Sequence, residues 1–169
     1  MKLKHLGPIL VAILLLTAAG KSEAQLGISA VFTADRLSSP QTRSTVYGPT
    51  LSLYYQHGTL LALGGDVRAS FLNGNGATLN TGSIGPRASV KLPVIPLRPY
   101  AEALGGFNSF TPTPTSSSSH HFDYQLLGGV DLTFFPRLDW RVIEYAYTGS
   151  TDNLHASSFS TGIVFRLPI

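Results

Sequence analysis

Charged side chains are scarce in this chain, and several recur where they could meet. Only 12% of its 169 residues are Asp, Glu, Lys or Arg. Six of these fall in segments that alternate apolar and polar residues: Asp66, Arg68, Arg87, Glu102, Asp131 and Glu144. Carboxylates and guanidinium groups pair through charge-assisted hydrogen bonds, and rings of such groups also control the passage of ions through narrow pores. The six residues therefore suggest either an ion gate or a salt-bridged plug.

Catalytic and metal-binding chemistry has weaker support. The pair His155-x-Ser157 is similar to the His-x-Ser pair of lipid A deacylases, but no Asp or Glu follows Ser157 to orient the histidine. The pair His120-His121 lies beside a serine-rich stretch without further convincing metal ligands. The sequence Gly-Asn-Gly at 74–76 is turn chemistry rather than a phosphate loop. We therefore expect no catalysis, no cofactor and no bound metal.

The elements that position these residues are strands. Apolar residues occupy every second position from Leu26 to Ala34, with Gly, Ser, Val and Thr between them. Similar segments follow at 47–56, 61–71, 83–92, 98–110, 122–134, 140–148 and 156–167. A period of two marks strands with one apolar and one polar face, so we expect eight strands of about 9–14 residues. The fifth is less regular, and Gly105-Gly106 suggests a bulge there.

The gaps between the predicted strands are of two kinds. Polar stretches at 36–45, 73–80, 111–121 and 149–154 alternate with tight connections at 57–58, 93–97 and 136–139. Since successive antiparallel strands end on opposite sides, one end would carry long loops and the other short turns, as in outer-membrane barrels. We predict an all-β fold in which residues 25–169 form an eight-stranded antiparallel up-and-down transmembrane β-barrel.

A soluble lipocalin-like barrel that binds a ligand is the alternative fold, because its strands also alternate. The polar face of such a barrel lies outside and is rich in Lys and Glu. Here the polar face carries mostly Gly, Ser, Thr and Ala, with few charges. Small side chains suit the narrow interior of an eight-stranded barrel, which favours a barrel with its apolar face outward.

In a membrane the charged residues would have to face the lumen, because Arg or Lys on the lipid face at the midplane costs about 2–4 kcal/mol. Reflection of each strand about its connection places Asp66 opposite Arg87 and Asp131 opposite Glu144. It also places Glu102 within a residue of Arg87 and of Asp131. The charged residues of strands three to seven would thus form one belt across the lumen.

Two more basic residues are candidates for this belt. Lys91 lies nearby on the same face, and Arg141 joins the belt only if its strand is bulged. The acidic excess would then need water, protonation or more distant cations. A narrow eight-stranded interior favours a plug that holds the barrel shut over an ion gate.

Aromatic residues lie toward the ends of the predicted strands. The candidates for an aromatic girdle are Tyr47, Tyr55, Phe134, Trp140, Tyr145 and Tyr147. Rings with a polar edge favour the boundary between membrane and water. Ordinary enrichment of aromatic residues in strands is the alternative explanation.

The first 24 residues have the pattern of a secretory signal. Lys2 and Lys4 precede an apolar core from Ile9 to Leu16, and Ser22 and Ala24 fit a small-residue cleavage site. An uncleaved anchor is the alternative, but the apolar core is shorter than the roughly 20 residues that span a bilayer. We expect cleavage after Ala24, which leaves 25–169 as the barrel.

The apparent basicity of the chain belongs largely to this leader. Without Lys2, Lys4, Lys21 and Glu23, the 12 basic and 9 acidic residues fall to 9 and 8. A near-neutral chain with no basic run gives no reason to expect nucleic-acid binding. The absence of cysteine rules out a disulfide framework and is compatible with a periplasmic or outer-membrane route.

Three stretches resemble the small OmpA-type outer-membrane β-barrels. They are GGVDLTFFPRLDWRVIEYAYTG at 128–149, RPYAEALGGF at 98–107 and STGIVFRL at 160–167. The first matches a Gly-Gly-x-Asp strand, a short Pro-x-Leu turn and an Arg-containing strand that ends in aromatic residues. The resemblance implies a bacterial outer-membrane location, reached through the cleaved leader.

The resemblance also implies partners. In the family, the final strand is the signal for the barrel-assembly machinery, and here it corresponds to Gly162, Phe165, Arg166 and Leu167. Leu167 stands where the family usually has Phe. Outer-membrane lipid is the other expected partner, and we expect a monomer. The predicted role is structural, that of a small pore or that of a surface-contact protein, and the alternative is a barrel enzyme acting on lipid A or phospholipid.

Overall fold

The computed structural model describes residues 24–38, 43–74, 77–112, 119–150 and 155–168, which form eight strands. They are β1 (Ala24–Ser38), β2 (Arg43–His57), β3 (Leu61–Gly74), β4 (Ala77–Val90), β5 (Leu97–Pro112), β6 (Ser119–Phe135), β7 (Leu138–Ser150) and β8 (His155–Pro168). Within these ranges no helix is long and apolar enough to cross a membrane. Residues 1–23 of the predicted leader lie outside the described part of the chain.

The strands form a closed barrel in which each strand pairs with the next. β8 closes the barrel by pairing antiparallel with β1, so that Ala30 lies opposite Ile163. The predicted eight-stranded antiparallel barrel is therefore confirmed. Closure leaves no strand edge with unpaired backbone groups between β1 and β8.

Successive side chains point alternately into the lumen and away from the barrel. Ser29 and Thr50 are 1% and 2% exposed inside, whereas Phe32 and Ile84 are 59% and 64% exposed outside. The apolar set of each alternating segment therefore forms the outer face. The polar set of small residues fills the narrow interior, as the predicted orientation requires.

The strands run further than the sequence pattern suggested, to lengths between 13 and 17 residues. Polar stretches expected to be loops are partly strand: Asn73 pairs with Thr78, and Gly74 with Ala77. The connections at one end are 58–60, 91–96 and 136–137, and we call this the turn end. At the opposite, loop end the strands are separated by 39–42, 75–76, 113–118 and 151–154.

The predicted contrast between long and short connections is therefore wrong. The prediction failed because the hydrogen bonds between paired strands join backbone groups. Asn, Thr and Gly therefore extend a hairpin as well as apolar residues do. The tight turn at 136–137 is closed by Arg137 with a positive φ of 73°, and Gly58 has a φ of 140° in the turn after β2.

The bulges also differ from expectation. β5 keeps one register with β4 and with β6 through Gly105 and Gly106, so no bulge forms there. A Cβ on Gly106 would lie 2.1 Å from the Gly82 carbonyl oxygen, so this glycine allows close approach of two backbones. Register shifts occur instead around β7, at Val130/Asp131 against β6 and at Arg141/Glu144 against β8.

Candidate functional site: the charged lumen

The six charged residues singled out in the sequence all point into the lumen, from five different strands. Their exposed fractions are 1% for Asp66, 4% for Arg68, 3% for Arg87, 4% for Glu102, 2% for Asp131 and 0% for Glu144. Arg141 lies among them and is also 0% exposed. We call these seven residues the charged belt.

Arg68 and Glu144 form a bridge across the lumen. Arg68 Nη1 donates to Glu144 Oε1 at 2.8 Å, and Nη2 donates to Oε2 at 2.7 Å. β3 and β7 are not neighbours in the barrel, so the two side chains span the interior to meet. The Tyr100 hydroxyl donates a further hydrogen bond to Glu144. A two-pronged contact of this kind fixes both side chains in orientation.

Arg87 occupies the middle of the belt. Its guanidinium donates to Glu102 and, at 3.4 Å, to Asp131 Oδ2. The guanidinium carbon lies 4.1 Å from the centre of the Tyr54 ring and 3.9 Å from that of the Tyr100 ring. The planar cation is thus held between two aromatic faces, an arrangement that suits Arg better than Lys.

Arg141 joins the belt through the irregularity of β7. Its Nε donates to Asp131 Oδ1 at 2.9 Å, and its Nη1 donates to Glu144 Oε2 at 2.9 Å. Simple alternation from Glu144 would point Arg141 outward. The register shift between Arg141 and Glu144 turns both side chains inward, which meets the condition set for Arg141 in the sequence.

The belt is close to electrically balanced, with three arginines facing four carboxylates. Asp66 is the least compensated member: neither of its oxygens accepts a hydrogen bond from a described residue. Its nearest cationic contact is Arg87 Nη1, at 3.8 Å from Oδ2. The expected acidic excess is therefore reduced by Arg141 and concentrated at Asp66.

Part of the predicted register is wrong. Asp66 lies opposite Gly85, and Arg87 lies opposite Gly64, whereas Arg87 and Glu102 are directly opposite as expected. The β3–β4 register differs because the hairpin closes at Gly74, earlier than the centre of the polar stretch.

The predicted register of the following strands is also wrong. Glu102 lies opposite Leu127 rather than near Asp131, and Asp131 lies opposite Arg141 rather than Glu144. The charged residues still meet because barrel strands are tilted, typically by about 35–45°. Residues at one height in the lumen are therefore displaced along the ladder, and long side chains close the remaining gap.

A second polar layer lies nearer the turn end. Arg166 Nη2 donates to Asp139 Oδ1 at 2.8 Å, and Gln56 Nε2 donates to Gln25 Oε1 at 3.1 Å. Lys91 lies beyond β4, where its Nζ donates to the Gly58 carbonyl at 3.2 Å. The prediction that Lys91 lies close to the belt is therefore wrong, because β4 ends at Val90 and Lys91 belongs to the turn.

Apolar side chains cluster in the loop-end half of the lumen, beside the buried polar residues Asp35, Asn108 and Asp123. Six inward residues pack together there, and we call them the apolar cap: Leu37, Val46, Leu72, Ala77, Leu79 and Ala156. Between cap and belt, hydroxyls bond across strands, with Thr33 to Thr50 and to Ser160 at 2.9 Å each. A cavity of about 30 Å³ remains at this level, room for about two water molecules.

Some members of the site were not singled out in the sequence. Tyr100 is two residues from Glu102, and Asp139 is two residues from Arg141, so each faces the lumen with its neighbour. The alternation of side chains along a strand would have identified both. The apolar cap gave no such signal, because apolar residues on the polar face of a strand look like breaks in the alternation.

The aromatic candidates lie on the outer face near both ends. Tyr55, Phe134 and Trp140 lie toward the turn end and are between 46% and 49% exposed. Tyr47 and Tyr145 lie toward the other end and are 49% and 44% exposed. Tyr147 lies beyond Tyr145 on β7 and is half-buried.

The proposed assembly residues lie in β8, where the barrel closes. Phe165 is 44% exposed and lies opposite Ile28, and Leu167 lies opposite Leu26. Gly162 lies opposite Val31, and Arg166 turns inward to Asp139.

The histidines form no catalytic or metal-binding arrangement in the described part of the chain. His155 Nδ1 lies 2.9 Å from the Tyr147 hydroxyl, and Ser157 Oγ accepts from the Tyr145 hydroxyl at 3.3 Å. Among these residues no group of three His, Cys, Asp or Glu could hold a metal ion. The side chain of His120 and residues 75–76 lie outside the described part.

No protein-family model and no curated protein matches the sequence. Solved structures are similar in fold. Neisserial surface protein A has a TM-score of 0.63 at 19% identity, covering 83% of this chain and 96% of that one. The N-terminal β-barrel domain of Pseudomonas aeruginosa OprF has 0.58 at 14%, covering 82% and 97%. Ail, the attachment invasion locus protein of Yersinia pestis, has 0.56 at 14%, covering 86% and 99%.

Proposed function

We propose that this protein is an integral β-barrel of a bacterial outer membrane whose lumen is plugged by the charged belt. Its role is structural or one of surface contact at the loop end. The observation that carries the proposal is the distribution of charge. Every carboxylate of the described residues is at most 5% exposed and faces the lumen. The outer face is built from Leu, Ile, Val, Phe and Tyr.

A membrane is the environment that suits this outer face. Large apolar side chains such as Phe107 and Ile84 are 67% and 64% exposed, and similar ones surround the barrel. Soluble monomers rarely expose contiguous apolar patches of more than a few hundred Å². A soluble ligand-binding barrel would need the opposite arrangement, with an apolar lumen and a charged exterior.

The belt supports a plug rather than an ion gate. Arg68 and Glu144 meet across the lumen, and Arg87 and Arg141 fill the space beside them. The apolar cap lies above, and none of its members is more than 8% exposed. An ion would have to break these buried pairs, which is costly, and then pass the apolar cap.

The export route and partners belong to the same proposal. Residues 1–24 direct secretion and are removed, and β8 presents the barrel to the assembly machinery. The similarity in fold to small outer-membrane barrels supports this route. The resemblance of β5 to β8 to OmpA-type barrels makes the proposal more specific, as a barrel of that type. The barrel is monomeric and contacts outer-membrane lipid. Catalysis is not part of the proposal, because His155 and Ser157 have tyrosines as their described partners.

Cell fractionation followed by gel electrophoresis tests the location. The chain should appear in the outer-membrane fraction and migrate differently in unheated and heated samples, because a closed barrel resists detergent until boiled. A chain found in the periplasmic fraction, monomeric without detergent, would overturn the proposal in favour of a soluble barrel.

Planar-bilayer recording separates the plug from the gate. The wild-type barrel should give no discrete conductance steps. In an Arg68→Ala, Glu144→Ala double variant, which removes both halves of the cross-lumen bridge, the apolar cap should still keep conductance low. Steady unitary conductance of the wild-type barrel would contradict the plug.

A further inference from the structure

Two arginines differ from every other described Arg or Lys side chain in being exposed: Arg36 and Arg137. Arg36 lies near the loop end of β1, and Arg137 lies in the turn between β6 and β7 at the opposite end. Because every described carboxylate is inside the lumen, neither has an acidic partner among the residues that the structure describes. The outer face at the loop end therefore carries a positive charge without a described counter-charge.

Arg36 borders a shallow groove of about 640 Å³ on the outer face. The groove is lined by Arg36, Thr45, Tyr47, Tyr145, Ser157 and Phe159. It spans β2, β1, β8 and β7, which are consecutive around the barrel. Arg36 sits in the row between Thr45 on β2 and Ser157 on β8. Asp35 also borders the groove, but it is 5% exposed, as expected for the inward position next to Arg36.

The walls of the groove change character along the barrel axis. Toward the middle of the barrel lie rings, with Tyr145 and Phe159 centroids 5.2 Å apart. Toward the loop end lie hydroxyls and the guanidinium, with Tyr145 already bonded to Ser157. One side thus suits an acyl chain, and the other suits a polar, negatively charged headgroup.

We propose that this groove binds the phosphorylated sugar headgroup of lipid A in the outer leaflet. Arg36 pairs with a phosphate, and the hydroxyls of Thr45 and Ser157 bond to the sugar beside it. Guanidinium groups match phosphate oxygens in a two-pronged geometry. The inference rests on the proposed function, since it needs the loop end to face the outer leaflet.

The absence of exposed carboxylates from the described outer face favours lipid A over phosphatidylethanolamine. An ethanolamine headgroup carries an ammonium group, and recognition of that group would need an acidic side chain beside the phosphate site.

The test is retention of lipid A by the mature barrel refolded in detergent micelles, measured by native mass spectrometry during a lipid titration. Arg36→Ala should weaken retention about tenfold, the loss expected for one charge-assisted contact. Arg137→Ala removes the exposed arginine of the other end and should leave retention unchanged. Arg36→Lys should fall between, because it keeps the charge and loses the fork.

Equal retention by wild-type and Arg36→Ala barrels would overturn the proposal, as would phosphatidylglycerol retained as tightly as lipid A. Heat-modifiable migration of every variant shows that it is folded. Failure of the proposed function would appear separately, as a chain that does not reach the outer-membrane fraction. Failure of the lipid A site alone would leave a folded, membrane-located barrel whose lipid retention ignores Arg36.

Discussion

The lumen and the outer face of this barrel are built from the same strands and hold opposite kinds of residues. Ser83 is 5% exposed inside, and the next residue, Ile84, is 64% exposed outside. The lumen holds every described carboxylate and the three belt arginines, whereas the outer face between its ends is apolar and aromatic. Parity along a strand therefore decides where a charge is tolerated: the belt charges lie inside among partners, and exposed arginines occur among the described residues only near the ends of the barrel.

Breaking the pairing inside should give the largest effect. Arg141→Ala leaves Asp131 and Glu144 without a partner that now lies 2.9 Å from each. Loss of one member of a buried ion pair costs about 3–5 kcal/mol, so the free energy of unfolding in micelles should fall by that amount. Arg137→Ala, at an exposed turn position, is the matched control and should change it by less than about 0.5 kcal/mol. A loss below about 1 kcal/mol for Arg141→Ala would mean that the belt is solvated.

Placing a charge outside should give the next largest effect. Ile84→Arg puts a cation on the lipid-facing side of β4 and should destabilise the barrel in lipid vesicles by about 2–4 kcal/mol. Asn80→Arg, on the same face nearer the loop end, should cost about 0–1 kcal/mol. Equal costs at the two positions would argue against a membrane around β4.

Neutralising single carboxylates in the lumen should give the smallest effects on stability. These effects should differ from one member of the belt to another. Glu144→Gln removes a charged group that accepts four hydrogen bonds, from Arg68, Tyr100 and Arg141, and should cost about 1.5–3 kcal/mol in denaturant unfolding. Asp66→Asn should change stability by less than about 1 kcal/mol or raise it, because Asp66 accepts no hydrogen bond from a described residue. A larger loss for Asp66→Asn than for Glu144→Gln would show that the charge of Asp66 is compensated after all.

Much of the fold was predictable from parity alone. Alternation in segments such as Leu26–Ala34 gave the number of strands, their faces and the inward orientation of the charged residues. That information is local, since each residue faces the side opposite to its neighbour. The length of the strands was less predictable, because the polar residues around Asn73 and Thr78 continue the backbone ladder.

The contacts within the site were harder to predict. Reflection about loops assumes that partners on the ladder are also neighbours in the lumen. Strand tilt breaks that assumption: Arg68 reaches Glu144 on a strand with which β3 does not pair. The inward orientation of Arg141 depended on a bulge, and a bulge cannot be recognised from the residue types alone. The apolar cap was missed because Leu37 and Leu72 interrupt the polar face that defined the lumen.

The single tryptophan of the chain allows the most direct test of the central claim, that the outer face contacts lipid. Trp140 is 46% exposed on that face near the turn end, and its Nε1 donates to Thr161 Oγ1 at 3.2 Å. Trp140 fluorescence should be measured with the folded barrel in vesicles of lipids brominated at different depths along the acyl chain. Strong quenching by bromines near the headgroup, weakening toward the bilayer centre, is the predicted result. Fluorescence unaffected by bromines at any depth would contradict the account.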